Sequence, residues 1–421
     1  MNRMGEFDGL GFGPTEILLP EECDLQKWAV VACDQYTSQP EYWERVERFV
    51  GDAPSALRLI LPEGCLDGPN VENDITEINT TMTRYLRSGQ FRTYPDALFY
   101  VERTLASGAV RRGLIGAVDL EEYDYEAGSA TLIRATEGTI LSRIPPRVAV
   151  RKNAPIELPH VMLLCDDPEG TILPPLTGET ETMEKLYDFD LMEGSGHLAG
   201  WLLTPEQKRR VAVALRARKG EEEHAMLFAV GDGNHSLATA KECYERQKRL
   251  TPPDKWESLP SRWALVEVCN LYDKSLEFTP IHRVVFDVDA DQLLDAFLHR
   301  YPGAKRTQRL PENGQSIAFA CEDEEGYLWI EEPEYPLPVA TLQAFLDDYL
   351  IQHSGRVDYV HGADVARDLA RRKRTIAFFL PALDKYSLFP AIQQAGALPR
   401  KTFSVGEARH KRFYLEARKI R

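Results

Sequence analysis

Gly231-Asp232-Gly233-Asn234-His235-Ser236 packs two glycines, a carboxylate, an amide, an imidazole and a hydroxyl into six positions. Ala225 to Val230 before it is a short, nearly continuous apolar run, as expected of a strand buried on both faces. After it, Leu237, Ala240, Lys241 and Tyr244 follow the i, i+3, i+4, i+7 spacing of a helix. The expected unit is strand, tight polar turn, helix. A helix start leaves backbone N–H groups without intrahelical partners and carries the positive end of the dipole. Gly231 and Gly233 allow positive φ and close approach of a ligand. Asn234, His235 and Ser236 add donors, and Asp232 can hold a metal or orient His235. Together they form a seat for phosphate or another anion; the alternative is a well-capped turn with no ligand. The run is not a P-loop, because it lacks Gly-Lys-Ser/Thr, nor a dinucleotide fingerprint, because the third glycine is missing.

Other stretches hold residues of the same kind. Asp34 and Gln35 follow the apolar run Trp28–Cys33, at the end of an expected strand, where open α/β sheets place ligands. Arg134, Arg143, Arg147 and Arg151 cluster around Glu137. Clustered arginine suits bidentate capture of phosphate or carboxylate, and Glu137 among them would stay ionised and could act as a base or metal ligand. A structural ion-pair network is the other reading. Glu157, His160 and Asp166-Asp167 flank a short strand, but no His or Cys repeats at ligand spacing, which argues against zinc. His282-Arg283 could touch a phosphate. The basic C-terminal tail answers the acidic bulk of the chain or brings Lys401 and Arg412 to a shared anion site.

The elements that must position these residues are those of a mixed α/β protein. The chain has 421 residues, 43% hydrophobic and 28% charged, so it is globular and long enough for more than one domain. A net charge of −16 argues against nucleic acid or anionic membrane as a partner. No apolar run reaches transmembrane length, no secretory leader is evident, and the seven scattered cysteines include no C-x-x-C pair. The expectation is a cytoplasmic protein with reduced thiols and a small-molecule substrate; a homodimer is compatible with the sequence. Ser38 and Glu41 read as a capping box before a helix to Val50, Ala56–Pro62 as a strand, and Val71–Ser88 as a helix. Leu98–Thr104 and Gly113–Leu120 read as antiparallel neighbours. Thr204-Pro205-Glu206-Gln207 reads as a capped helix start, and Ser316–Ala320 with Leu328–Ile330 as a hairpin.

WAVVACDQYTSQPEYWERVE, LIRATEGTILSRIPPR, IELPHVMLL, GDGNHS, TPIHRVV, DYVHG and LPRKTFSVGEARHKRFYLEARKI together resemble the bacterial and archaeal family called domain of unknown function 1015, over nearly the whole chain. That resemblance implies a ParB/sulfiredoxin-like core with an additional α/β lobe, here divided as 1–287 and 288–421. It also implies a loop-to-helix phosphate motif, Asp-Gly-His-His-Arg, which free-serine kinases of that superfamily use to move a phosphoryl group to L-serine. The motif falls on Asp232, Gly233, Asn234, His235 and Ser236, with Asn234 in place of the first His and Ser236 in place of the Arg. Arg134, Arg143 or Lys401 could replace that Arg. The implied function is a small-molecule phosphotransferase acting on a hydroxyl of serine or a related amino acid. Its donor is ATP, ADP or pyrophosphate, with Mg²⁺ at Asp232 and Glu137 or Asp34 as the base. The rivals are a ParB-like nucleotide-binding regulator without turnover and a scaffold with no ligand.

Overall fold

The computed structural model describes residues 5–421 except 38, 67, 127, 139–143, 222–223 and 323. Its contacts divide the chain into two units. The first comprises Met1–Glu277, Phe389–Ala397 and Val405–Arg421; the second comprises Phe278–Leu388 and Leu398–Ser404. The sequence places the boundary after 287 and everything beyond it in one portion. Instead, the last residues return to the first unit. Phe413–Tyr414 pairs antiparallel with Val30–Val31, and Arg418–Lys419 with Ile156–Glu157. Between these pairs, Leu415 and Ala417 are fully buried.

The first unit is built on a ten-stranded sheet. In chain order its strands are Phe12–Gly13 (β1), Phe99–Thr104 (β2), Val110–Asp119 (β3), Tyr123–Asp124 (β4), Ile133–Arg134 (β5), Met162–Cys165 (β6), Glu184–Asp190 (β7), His197–Leu202 (β8), Phe228–Asp232 (β9) and Trp263–Asn270 (β10). Their spatial order is β7-β8-β2-β3-β10-β6-β9-β5-β4, with β1 beside β3. The sheet is mixed: β6 runs parallel to β10 and antiparallel to β9, and β9 runs parallel to β5. This is the α+β, mixed-sheet class the pattern implied. One face of the sheet, through Leu114, Leu163, Val230 and Val266, packs on the helices Pro205–Lys219 (α1) and Asn234–Arg249 (α2). The other face, through Val101, Ile115 and Leu265, packs on the N-terminal segment and the returning tail.

The second unit carries its own sheet: Phe278–Phe286 (β11), Lys305–Thr307 (β12), Gln315–Cys321 (β13), Glu324–Ile330 (β14), Arg356–His361 (β15) and Thr375–Phe379 (β16), ordered β12-β14-β13-β16-β11-β15. Leu293, Phe297, Leu342 and Leu346 pack from its helices onto Ile317, Leu328 and Phe378. The expected hairpin is β13–β14, and the expected antiparallel neighbours are β2 and β3.

Local readings failed where apolar runs were short. Ala56–Leu59 is a 3₁₀ turn, not a strand, because Ser55 accepts the Leu57 N–H and its hydroxyl reaches the Lys27 carbonyl. Trp28 ends a helical turn, and only Val30–Val31 of that run is strand. The helix after it is Pro40–Val50, capped by Gln39 without a side-chain bond; Ser38 lies outside the described residues. Thr204 forms the expected capping box with Gln207. Among the described residues no helix is long and apolar enough to cross a membrane.

Candidate active site at the head of α2

The turn after β9 owes its geometry to one extra residue. Val230 pairs with Leu163, and Asp232 pairs with Met162, so Gly231 is a bulge opposite no partner. Without it, Val230 and Asp232 would face the same side, since strand side chains alternate with period two. The bulge sends them to opposite faces. Val230 enters the apolar face, whereas Asp232 joins Met162 and, across β6, Glu267. Gly231 is therefore a packing glycine and does not adopt positive φ: a Cβ there would stand 2.8 Å from Leu164 Cγ. This corrects its expected role beside a ligand.

Gly233 does take the left-handed conformation, at φ 84°, and caps α2 without offering a side-chain acceptor. A Cβ at Gly233 would meet Val161 Cα and Cγ2 at 3.1 Å. Gly233→Ala should destabilise the protein by about 1–2 kcal/mol from the left-handed backbone alone. Urea melts of the purified variant check this, and an unchanged midpoint would remove the turn's need for glycine.

Three side chains of the turn are held by distant segments. Asn234 Oδ1 accepts the Thr136 N–H at 3.2 Å and its amide donates to Thr136 Oγ1 at 3.1 Å; Thr136 in turn donates to the Val230 carbonyl at 2.6 Å. Ser236 Oγ lies 3.0 Å from His160 Nε2. His160 Nδ1 lies 2.7 Å from the Tyr414 hydroxyl, which accepts the Cys33 N–H and reaches Cys33 Sγ, each at 3.1 Å. Asp232 Oδ2 faces Lys411 Nζ at 3.4 Å. Asp232 to Ser236 are all half-buried, so the turn is neither sealed nor fully in solvent.

Lys411 is buried, and the strap around it is pinned by two buried arginines. Arg103 donates to the carbonyls of Lys411, Arg409 and Ser195, and Arg111 to that of His410. Burial and the neighbouring Arg111 push Arg103 down to about 9. Beneath the strap, Glu267 stands 3.7 Å from both Arg111 Nε and Arg412 Nε. Gly113 makes room for it, since a Cβ there would lie 2.5 Å from Glu267 Oε1. Burial pushes Glu267 up, but Arg111, Arg412 and Arg103, with a bond from Cys269, hold it below the ordinary carboxylate value.

Two predicted acids come to this end of the sheet. Asp34 follows Cys33, and its charge raises both the Cys33 thiol and the Tyr414 hydroxyl, in each case after burial. Glu63 and Arg147, paired at 2.8 Å, also act on Cys33. Glu137 follows Thr136, the residue clamped by Asn234. His235 is half-exposed in the first turn of α2, and its carbonyl accepts from Thr239.

Three of the four clustered arginines are engaged by other protein groups. Arg134 is buried and donates to the carbonyls of Thr131 and His224, the latter upstream of β9 and so toward the end opposite Asp232. Arg147 and Arg151 are taken by Glu63 and Glu157. Arg143 lies outside the described residues. His282, Arg283 and Lys401 belong to the second unit. There His282 Nδ1 accepts the Leu380 N–H, and Arg283 donates to the carbonyls of Ile281, Arg400 and Lys401. Lys401 itself is exposed. Asp232 meets a lysine, and the described residues include no group of three or more His, Cys, Asp or Glu able to hold a metal.

Sequence reasoning missed Lys411 and Tyr414, and met His160 only as a zinc ligand. Their shared signal was a basic, aromatic tail too apolar to be a solvated one; the pairings across the fold carry no local periodicity.

Among solved structures, the chain is similar to free serine kinase in complex with AMP, at 10% identity and a TM-score of 0.41, covering 72% of this chain and 91% of that one. It is also similar to SbnI with C-terminal truncation from Staphylococcus aureus, at 10% identity and a TM-score of 0.39, covering 69% and 82%. A conserved hypothetical protein from Pyrococcus furiosus matches at 9% identity and a TM-score of 0.37, covering 71% and 90%. No curated protein matches. The family described as "Protein of unknown function (DUF1015)" matches residues 16–349, most of the chain, and the protein belongs to that family.

Proposed function

We propose that the protein is a small-molecule phosphotransferase that seats the phosphates of a nucleotide or pyrophosphate at residues 232–236 and transfers a phosphoryl group to a hydroxyl, with free serine or a related amino acid as the acceptor class. The observation that supports it most is the meeting of Lys411 Nζ with Asp232 at 3.4 Å, beside a helix start that Gly233 leaves without a side-chain cap. Phosphoryl transfer asks a protein mainly for positioning and for charge that stabilises the phosphoryl oxygens. Lys411 supplies the charge that the Ser236 position lacks relative to the kinase-type motif. The amides of α2 and the dipole add to it.

The acceptor hydroxyl gives up its proton to a carboxylate. Two carboxylates are candidates: Glu137 adjoins Thr136, which bonds Asn234 of the turn, and Asp34 adjoins Cys33, which reaches Ser236 through Tyr414 and His160. Magnesium arriving with nucleotide phosphates needs only one or two protein carboxylates. Asp232 fits that role, and the ion would supply charge neutralisation there.

Phosphorus-31 NMR of the protein with ATP, ADP or pyrophosphate plus L-serine should give a new phosphomonoester resonance as donor signal declines. Ligand binding without such a resonance sinks the transferase and leaves a nucleotide-responsive regulator. Binding itself is checked by thermal melts, since a ligand at a hundredfold excess over Kd adds about 2.7 kcal/mol of stability.

A further inference from the structure

Ser236, His160, Tyr414 and Cys33 come from four separate segments and form one continuous chain of polar atoms: 3.0 Å from Ser236 Oγ to His160 Nε2, 2.7 Å from His160 Nδ1 to the Tyr414 hydroxyl, and 3.1 Å on to Cys33 Sγ. His160 and Tyr414 are buried, and Ser236 is half-buried at the open end. A serine within hydrogen-bond reach of an imidazole whose far nitrogen is fixed by a third group is the arrangement that activates a hydroxyl as a nucleophile. The phosphotransferase reading above leaves this chain without a task.

The Tyr414 hydroxyl donates to Cys33 Sγ, and that bond assigns the direction of the chain. A tyrosine hydroxyl has one proton and can accept two bonds. Burial raises the Tyr414 hydroxyl well above its ordinary range, so that proton stays. Burial likewise pushes the Cys33 thiol up to about 12, so its sulfur is a neutral acceptor. With the Tyr414 proton on Cys33 Sγ, the oxygen accepts from Cys33 N–H and from His160 Nδ1–H. His160 Nε2 then presents its lone pair to the Ser236 hydroxyl.

We infer that Ser236 is a covalent phosphoryl acceptor, with His160 as its base and Tyr414 as the positioning residue that sets the His160 tautomer. This rests on the proposed phosphotransferase reading. In the first step His160 Nε2 takes the Ser236 proton, Ser236 Oγ bonds to the terminal phosphorus of a nucleoside triphosphate, and the bridging P–O bond breaks to release the nucleoside diphosphate. In the second step the acceptor hydroxyl bonds to that phosphorus and loses its proton to the carboxylate of Glu137 or Asp34, and from there to solvent. The Ser236 Oγ–P bond breaks, and His160 returns its proton to Ser236. The two steps together release one proton and consume no other reactant.

The full-length protein is mixed with nucleoside triphosphate labelled in the terminal phosphate, quenched within one turnover and mapped by peptide mass spectrometry. The label should appear on the peptide holding Ser236 and move to serine phosphomonoester when L-serine is added. Ser236→Ala should carry no label and form no phosphomonoester while its circular dichroism stays that of the unmodified protein, and Ser236→Thr should regain part of the label. His160→Gln should slow labelling by about 10²–10⁴-fold, the range of general-base catalysis. Tyr414→Phe should slow it less and shift its pH profile. Phosphomonoester formed by Ser236→Ala at the unmodified rate overturns the covalent step and leaves the transferase standing. Absence of both label and phosphomonoester with every donor removes the two together.

Discussion

Lys411→Met should lower kcat for phosphoryl transfer by a factor on the order of 10²–10³, the loss seen when one charge-stabilising donor is removed from a buried site. Methionine keeps the length and most of the volume of the lysine stem, so the strap keeps its packing. Its fixation comes from elsewhere, since Arg103 and Arg111 grip the carbonyls of Arg409, His410 and Lys411, not the lysine side chain. The fold should therefore survive, with a midpoint lowered because half-buried Asp232 loses its partner, and melting curves would show that the variant is folded at the assay temperature. What disappears is the ammonium 3.4 Å from Asp232. If that ammonium stabilises charge that grows in the transition state, kcat falls and the KM for the donor changes little; if it only binds donor, KM rises at constant kcat. A variant with both constants unchanged would take Lys411 out of the reaction and with it the main support for the proposed function. Steady-state assays on ATP with serine, run beside the melts, separate these outcomes.

The strand–turn–helix unit around Gly233 was readable because each of its parts is local: an apolar run, a glycine able to adopt positive φ, and a helical period. The same holds for the Thr204 capping box and the β13–β14 hairpin. What could not be read was the aim of the side chains. Whether Asp232 faces the apolar helices or Glu267 depends on a bulge at Gly231, and a bulge leaves no mark in the pattern beyond a glycine. Arg134 sits in sequence where a phosphate clamp was expected, but its partners are two carbonyls toward the other end of the strand. Lys411, which meets Asp232, lies in a tail that the sequence reading assigned wholesale to the second portion. Residues far apart in sequence meet because sheet register brings their segments together, and register is set by the burial of whole faces.

That same register produces the charged layer under the strap, where the second large effect is expected. Glu267→Gln should destabilise the first unit by about 3–5 kcal/mol, the cost of removing one partner of a buried ion pair. Glutamine matches the shape, so the loss comes from charge: Arg111 and Arg412, each 3.7 Å from the carboxylate, remain buried without it. Arg412 keeps Glu416, which also accepts from Tyr187 at 2.6 Å, whereas Arg111 keeps the His410 carbonyl. The sign of the pH dependence follows from the direction of the Glu267 shift. Its folded value lies below the ordinary 4.5, so the unfolded chain binds the proton more readily. The stabilisation is complete above 4.5 and drains away as pH falls through the lower folded value. Urea midpoints measured from neutral pH down to pH about 3 should therefore fall less steeply for Glu267→Gln than for the unmodified protein, the two curves converging at the acid end. Parallel curves would mean that Glu267 holds its proton equally well folded and unfolded, and the arginine layer would then have to owe its place to packing of the strap.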